Sequence, residues 1–282
     1  MDGFARHIAA CNNLASPAGY LPFRIGAEQV GWLEPDLARW LAYRPRDFHF
    51  DAEGVSLPAR LRSRAARESI LADAAMGLEK AGYLKLRDEL FDVRATTDGP
   101  VLATLDRGAI PAFGVIAQGV HLNGLVRRAD GLHLWLGKRS RAKSVAPGQW
   151  DNIVAGGAPA GLTMEETLVK EASEEAGLAP ELTARARRVS ALSYVMKTAE
   201  GMRRDTLHVF DLDLPEDVEP VPHDDEVERF ELWPIARVLE LVRDSDQVKF
   251  NVNLVLIDLF LREGLIDAAS QEGRVMAAAL RA

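Results

Sequence analysis

The sequence has very little cysteine and no long apolar run. Cys11 is the single cysteine among 282 residues, so no intramolecular disulfide can form and a reducing compartment is expected. The apolar segment before Cys11 is too short for the core of a secretion signal. No uninterrupted apolar run of about 18 residues occurs, since Pro111, Gln118, His121 and Asn123 break the best candidate. These absences predict a cytoplasmic protein without a membrane partner.

The sequence also lacks an excess of positive charge. It has 34 Lys and Arg residues against 42 Asp and Glu residues, a formal net charge of −8. Neither a basic footprint nor a helix-turn-helix pattern is found, so no nucleic-acid partner is expected. The apolar content of 48% and charged content of 27% are typical of a globular protein of one large or two medium domains. A homo-oligomer is compatible with this composition, and the oligomeric state is left open.

Hydrophobic periodicity predicts three parts, residues 1–108, 109–265 and 266–282. The first is predicted to be a helix-rich α+β domain, with its strongest helix over 63–80 and short strands at 90–94 and 101–105. The second opens with a predicted hairpin, because 119–128 and 132–138 alternate around Ala129-Asp130-Gly131. The last part is predicted to be a helical tail. Further strands are predicted at 189–196, 207–214 and 230–233, and further helices at 1–14, 36–42, 164–176, 234–243 and 253–262.

Three glutamates lie on one face of a predicted helix in the segment KEASEEAG. Glu171, Glu174 and Glu175 occupy positions i, i+3 and i+4, so their carboxylates converge. Such like charges repel each other, and a hard divalent cation such as Mg²⁺ or Mn²⁺ relieves that repulsion. Considered alone, the cluster fits a solvated acidic surface equally well.

The residues around the cluster give this helix clear ends. Thr163 and Glu166 have the spacing of a capping box at its start. Gly177 follows it, at the position where a left-handed residue ends a helix. Gly156 and Gly157 precede it and allow the backbone to approach a metal or a phosphate closely. A helix start nearby adds positive partial charge.

Together these features resemble the Nudix box, G-x5-E-x7-R-E-U-x-E-E-x-G-U, where U is apolar. Gly156 matches its first glycine, and its end is matched by Glu171, Ala172, Glu174, Glu175, Gly177 and Leu178. Leu162 replaces the first glutamate of the motif, and Lys170 replaces its arginine. The resemblance implies an α+β protein in which a Nudix α/β/α sandwich with a mixed sheet follows a smaller domain. It also implies a metal-dependent hydrolase of phosphorus anhydrides.

The two departures and three flanking segments are similar to one branch of the family. That branch includes the Nudix domain attached to fungal thiamine pyrophosphokinase, and its members carry an additional N-terminal domain. The similar segments are residues 121–124, 147–152 and 249–251. The resemblance implies that the substrate is a thiamine diphosphate-like molecule, such as oxothiamine or oxythiamine diphosphate.

The resemblance also implies roles for the acidic residues. Glu171, Glu174 and Glu175 would be the catalytic residues and would hold Mg²⁺ or Mn²⁺, with Glu171 accepting a proton from the attacking water. Family members often add a carboxylate from a later loop. Among the acidic residues 224–226, Glu226 is favoured as that metal ligand, although an exposed acidic loop fits equally.

The substrate-binding candidates are basic hairpin residues, loop glycines and residues beside the motif. They are Arg127, Arg139, Gly156, Gly157, Lys170 and Trp135. The basic residues fit solubilising charges equally well, and a core role fits most of the aromatic residues. Two alternative functions stay open: hydrolysis of another nucleoside diphosphate derivative such as ADP-ribose, and a degenerate Nudix domain that acts as a ligand-binding or regulatory module.

Overall fold

The computed structural model describes residues 3–143, 145–223 and 225–281. Its N-terminal region combines helices with short strands, and a 3-10 turn at Arg107–Ala109 precedes the last of these helices. In chain order the elements are α1 (Ala5–Cys11), β1 (Leu21–Ile25), β2 (Glu28–Leu33), α2 (Pro35–Ala42), β3 (His49–Asp51), β4 (Gly54–Leu57), α3 (Arg64–Lys80), β5 (Leu90–Val93), β6 (Ala103–Asp106) and α4 (Ile110–Phe113).

The N-terminal region is an α+β region as predicted, but it contains a sheet whose strands were not predicted. Strands β1 to β4 form a sheet in the order β2-β1-β4-β3, in which β1 and β4 are parallel. The sequence analysis predicted strands only where β5 and β6 lie. The missed strands have three to six residues each. Segments of that length carry too little periodicity to be recognised without their partners.

The remaining elements form the second region. They are β7 (Ile116–Arg128), β8 (Gly131–Arg139), β9 (Trp150–Asn152), β10 (Val154–Gly157), α5 (Met164–Ala176), α6 (Pro180–Thr183), β11 (Arg187–Thr198), β12 (Gly201–Asp213), β13 (Val227–Pro234), α7 (Ile235–Asp244), α8 (Val252–Arg262) and α9 (Gln271–Ala279). The predicted hairpin is confirmed, since β7 and β8 pair antiparallel from Gly124–Trp135 to Arg128–Gly131.

A mixed sheet with helices on both faces confirms the predicted α/β/α sandwich. The strands run in the order β11-β12-β7-β8-β13, with β12 parallel to β7, while β10 pairs with β7 and β9 with β8. Leu168 and Ala172 of α5 pack on one face of the sheet with Leu122. Helices α7 and α8 pack on the other face, where Val238 and Val255 are fully buried.

Helix α5 has the ends that the sequence predicted. The Thr163 hydroxyl accepts a hydrogen bond from the Glu166 backbone N–H at 3.1 Å, and the Glu166 carboxylate accepts one from the Thr163 backbone N–H at 2.8 Å. Gly177 closes the helix at φ 62°, in the left-handed region. These local interactions fix where the acidic face of the helix begins and ends.

Each region contributes a segment of chain to the core of the other. The N-terminal core continues through Ile110 and Phe113 to Val115, beyond the predicted boundary at residue 108. Conversely, Phe4 of the first turn packs on Phe260 of α8, with ring centroids 6.0 Å apart. In the residues that the structure describes, no helix has both the length and the apolar character to cross a membrane.

A buried chain of polar side chains ties the central sheet to α8. His121 Nδ1–H donates to Asn152 Oδ1 at 2.9 Å, and Asn152 Nδ2–H donates to Asn123 Oδ1 at 2.9 Å. Asn123 Nδ2–H then donates to Asp211, which also accepts from Arg262 of α8 at 3.1 Å. Burial, helped by the nearby Lys249 charge, lowers the pKa of His121 to about 4.

We predict that replacing Thr163 with alanine destabilises the protein by about 1 kcal/mol, because α5 loses the acceptor that caps it. Urea unfolding of the purified variant measures this loss. Thr163→Ser keeps the hydroxyl and serves as the matched control. Equal unfolding midpoints for the alanine and serine variants would contradict the capping role.

We predict that His121 makes the fold sensitive to acid. The folded protein holds His121 neutral with a pKa of about 4, while the unfolded chain protonates it near 6.5. Its contribution to stability is therefore complete above pH 6.5 and is lost as the pH falls toward 4, by up to about 3 kcal/mol. Urea unfolding between pH 4 and 8 should show a shallower pH dependence for His121→Gln. His49→Gln, at an exposed position, should keep the wild-type slope.

Candidate active site

Strand β10 and helix α5 bring the loop glycines and two of the glutamates together. The Ala155 backbone N–H donates a hydrogen bond to Glu175 Oε2 at 3.0 Å. A Cβ added at Gly156 would overlap the Glu171 carboxyl group, so glycine is required for this close approach. Glu171 and Glu175 therefore both lie against the strand that begins the motif.

Glu175 is a buried carboxyl group among other carboxyl groups. Burial raises its pKa well above the ordinary value, and the nearby charges of Asp151, Glu171 and Glu226 raise it further. The hydrogen bond from Ala155 N–H acts in the opposite direction. Without a compensating cation, the site therefore favours the protonated form of Glu175.

Lys170 lies between the other two glutamates of the motif. Its Nζ is 3.2 Å from Glu171 Oε1 and also pairs with Glu174 Oε2. Burial raises the pKa of Glu171, and the Lys170 charge opposes that rise. Glu174 is exposed, with 55% of its side chain accessible. The lysine that replaces the motif arginine thus acts as a local counter-charge to both carboxylates.

Asp151 completes the acidic centre, and no site role was predicted for it. It is buried, and its Oδ2 lies 2.7 Å from Arg139 Nη1 and 3.0 Å from Lys249 Nζ. Burial alone would raise its pKa, but Lys249 and Arg139 together hold that pKa below the ordinary value. Asp151 therefore stays ionised, while Glu175 carries the raised pKa.

The later acidic loop reaches the same place. Glu226 pairs with Lys143, and its backbone carbonyl accepts a hydrogen bond from Ser140 N–H at 2.8 Å. Its charge raises the pKa of Glu175. Asp224, a weaker candidate, lies outside the described residues. The structure thus brings Glu226 near the motif glutamates.

A cleft of about 280 Å³ opens beside these residues, between the two regions of the chain. Among the described residues, its lining contains seven lysines and arginines but three acidic side chains, although the whole chain is acidic. The basic residues are Lys85, Arg87, Arg107, Arg139, Lys143, Arg203 and Lys249. Such a cleft attracts an anionic ligand.

Some predicted substrate-binding residues lie in the cleft and others do not. Gly156, Gly157 and Arg139 line it. Arg127 instead pairs with Asp213 at 3.0 Å and with Glu263 at 3.4 Å. Trp135 packs against the core beneath α5, and Lys170 stays with its glutamates. Arg127 and Trp135 therefore do not line the cleft, although they were predicted to bind substrate. The alternation of residues on a hairpin predicts the face of the sheet on which a side chain lies, but not which other elements pack on that face.

The carboxylate oxygens are suitable ligands for a divalent cation, although their positions do not form a complete coordination site. Within the described ranges, no three acidic, histidine or cysteine side chains are grouped closely enough to enclose a metal. Glu175 is nevertheless surrounded by Asp151, Glu171 and Glu226 charges that raise its pKa. Hard oxygen donors that repel each other fit Mg²⁺ or Mn²⁺. The residues that would hold it are Glu171, Glu174, Glu175 and Glu226.

Comparison with known families divides the chain where its two regions meet. Residues 3–117 match a family described as a domain of unknown function, DUF4743. Residues 119–252 match the NUDIX domain. The match to the second family covers most of β7, the glycine-rich strand β10 and all of α5.

Two plant proteins are similar to most of the chain. Nudix hydrolase 20, chloroplastic, of Arabidopsis thaliana is 37% identical over 281 residues, covering 94% of this chain and 74% of the relative. Nudix hydrolase 24, chloroplastic, of the same plant is 36% identical over 270 residues, with the same shares. Among solved structures, DR0079 from Deinococcus radiodurans is 21% identical with a TM-score of 0.47, covering 60% of this chain and 97% of that one.

The resemblance read from the motif is thereby confirmed at the level of the family. The similarity to the Arabidopsis proteins spans both regions, so it includes the N-terminal region as well as the acidic helix. On these matches, the chain belongs to the Nudix hydrolase family.

Proposed function

We propose that the protein is a divalent-metal-dependent diphosphatase whose substrate is a small thiamine diphosphate-like molecule. The observation that carries this proposal is the position of the acidic centre beside the basic cleft. Glu171 and Glu175 contact the strand Ala155–Gly157 that lines the cleft. Carboxylates suited to a metal and cations suited to phosphate oxygens are thus placed side by side.

The proposed reaction is hydrolysis of the phosphorus anhydride. A water oxygen attacks one phosphorus atom, the bridging P–O bond breaks, and the second phosphoryl group leaves with the electrons of that bond. Glu171 accepts the proton of the attacking water, since burial raises the pKa of its carboxylate and makes it a better base near neutral pH. A bound Mg²⁺ or Mn²⁺ supplies positive charge that polarises the phosphoryl oxygens.

Phosphate recognition falls to the cations of the cleft. Arg139 and Lys249 are both held by Asp151, which fixes their positions before any ligand binds. Lys143 is paired with Glu226. Positioned cations of this kind bind phosphate oxygens with little loss of side-chain freedom.

Two neighbouring residues suit the heterocyclic part of the substrate. The ring of Phe250 and the side chain of Asn251 line the cleft. Among the described residues, Asn251 Oδ1 is buried without a hydrogen-bond partner. An aromatic face beside an unused acceptor fits a ring with an N–H donor. The rings of oxothiamine, oxythiamine and adenine all meet this requirement, so a substrate panel has to separate them.

We predict that release of phosphomonoester products with Mg²⁺, resolved by chromatography, is fastest for the thiamine-type diphosphates in a panel that also contains ADP-ribose and other nucleoside diphosphate derivatives. Phosphomonoesters are followed because ADP-ribose yields two of them and no inorganic phosphate. EDTA should abolish the release, because the carboxylates then lose their cation. Turnover confined to the nucleotide derivatives would refute the thiamine assignment. No turnover of any compound would refute the enzyme and favour a ligand-binding module.

We predict opposite effects of Glu175→Gln on stability and on activity. The amide oxygen can still accept the Ala155 hydrogen bond, while the carboxyl group whose ionisation is opposed by burial and by the neighbouring charges is replaced by a neutral amide. The Tm of the metal-free variant at pH 8 should therefore equal or exceed that of the wild type. Activity should fall at least roughly 100-fold, because the metal loses a ligand.

Three further variants complete this comparison. Glu171→Gln and Glu174→Gln should also lose activity while remaining folded. Glu165→Gln changes an exposed glutamate in the first turn of the same helix and should keep wild-type turnover. The ligand assignment fails if Glu175→Gln or Glu174→Gln turns over substrate at the wild-type rate.

A cytoplasmic location is proposed from the single cysteine, Cys11, which is buried as a free thiol. The two Arabidopsis relatives carry the word chloroplastic in their names. Fractionation of cells that express the native gene tests the location, and recovery of the protein in an organelle fraction would contradict it.

A further inference from the structure

The N-terminal region forms one wall of the cleft. Its contribution comes from the segment that follows α3 and from the turn after β6, including Lys85, Arg87, Phe91 and Arg107. No function is assigned to the family that this region matches. The region nevertheless contacts the motif strand β10 and the loop that follows it.

Phe91 connects this wall directly to the motif strand. A Cβ added at Gly157 would overlap the Phe91 ring, and Ala160 N–H donates to the Leu90 carbonyl at 2.7 Å. The Arg107 guanidinium lies over the same ring, 5.6 Å from its centroid. Arg107 and Gly157 thus both lie next to the Phe91 ring.

Glu89 fixes Arg107 and places a charge near the catalytic helix. The Arg107 Nη1 lies 2.8 Å from Glu89 Oε2. The Glu89 charge is close enough to Glu171 to contribute to the raised pKa of that carboxyl group. This pair therefore lies within electrostatic reach of the acidic helix α5.

Lys85 and Arg87 differ from the other cations of the cleft. Arg107, Arg139, Lys143, Arg203 and Lys249 each have a carboxylate partner. Over the described ranges, Lys85 and Arg87 have none within ion-pair distance. Both residues are exposed, and both line the cleft. Their full charge is available to a ligand.

The backbone that carries these two residues is held in place. Leu86 N–H donates to Glu79 Oε1 at 2.8 Å, and Arg87 N–H donates to Asp106 Oδ1 at 3.0 Å. Gly108 approaches the Lys85 carbonyl so closely that an added Cβ would overlap it. The two cations are therefore presented from a fixed segment, which lowers the ordering cost of binding.

We propose that the N-terminal region contributes directly to the substrate site, in which Lys85, Arg87 and Arg107 bind phosphoryl oxygens of the diphosphate together with the cations of the Nudix region. This rests on the proposed function, since it assigns residues to the recognition of the same substrate. The Nudix region supplies the proposed metal ligands and paired cations, and the N-terminal region supplies the paired Arg107. It also supplies Lys85 and Arg87, whose charge, uncompensated among the described residues, a phosphate can neutralise. An acidic protein that leaves two cations unpaired in its cleft has a binding site for an anion there.

The test measures binding of methylenediphosphonate, whose P–C–P bridge resists hydrolysis, by calorimetry in the presence of Mg²⁺. Lys85→Gln and Arg87→Gln should each weaken binding about 10-fold, and the double variant further, because each removes a charged donor. In Arg87→Gln the backbone hydrogen bond to Asp106 is kept. With a hydrolysed substrate, the same variants should raise KM and leave kcat nearly unchanged.

Lys80→Gln and Arg46→Gln are the matched controls. Both residues are exposed in the N-terminal region and neither lines the cleft. They should bind methylenediphosphonate within about twofold of the wild type. Circular dichroism and Tm measurements confirm that all variants are folded.

The outcomes separate this proposal from the proposed function. Weakened binding in the cleft variants supports the proposal even if no compound in the panel is hydrolysed, in which case only the diphosphatase activity fails. Wild-type binding and KM in Lys85→Gln and Arg87→Gln would overturn the proposal while hydrolysis stands. A wild-type protein that does not bind methylenediphosphonate would overturn it as well.

Discussion

The burial of the Glu175 carboxyl group is the constraint on which the active site depends. Its hydrogen bond from Ala155 N–H joins α5 to β10, and this contact places the acidic face of the helix against the glycine strand. A buried carboxyl group among like charges is an unfavourable choice for stability alone. A bound cation would offset this repulsion, so the same contact would link the fold to the proposed chemistry.

Charge is distributed unevenly around this centre. On the Nudix side, Asp151 holds two cations, Arg139 and Lys249, in fixed positions. On the N-terminal side, Arg107 is held by Glu89, whereas Lys85 and Arg87 stand alone among the described residues. In the described part of the chain, the cations on the Nudix wall are all paired with carboxylates, whereas the N-terminal wall has one paired and two unpaired cations. A diphosphate between the two walls would meet both kinds.

What the sequence predicted well was determined by short-range interactions. The capping pair Thr163 and Glu166 lies within one turn, and the β7–β8 hairpin is set by its own turn residues. Predicting the acidic centre requires knowledge of long-range contacts, since Asp151, Glu226 and the motif helix are far apart in the chain. The motif resemblance found Glu226 as a neighbour, but nothing local showed that Asp151 would bind Arg139 and Lys249.

The wall built by the N-terminal region could not have been predicted in this way. Lys85 and Arg87 belong to an irregular segment without periodicity, and their position depends on Glu79 and Asp106 from other elements. The strands β1 to β4 were missed for a related reason, because their stability comes from one another. Arg127 is the opposite case. Its hairpin was predicted correctly, but its guanidinium group is paired with Asp213 and Glu263 and is not part of the cleft.

The first helix has a consequence for how the two regions are inherited. Phe4, Ile8 and Cys11 pack into the core around α8, although the residues that follow them build the other region. Residues 4–11 therefore belong to the same core as α8, while the residues between them and β7 build the other core. A gene fusion or a domain exchange that cuts near residue 117 would separate the Nudix core from part of its own interior. The two regions are therefore expected to be inherited together, and not to recombine as separate modules.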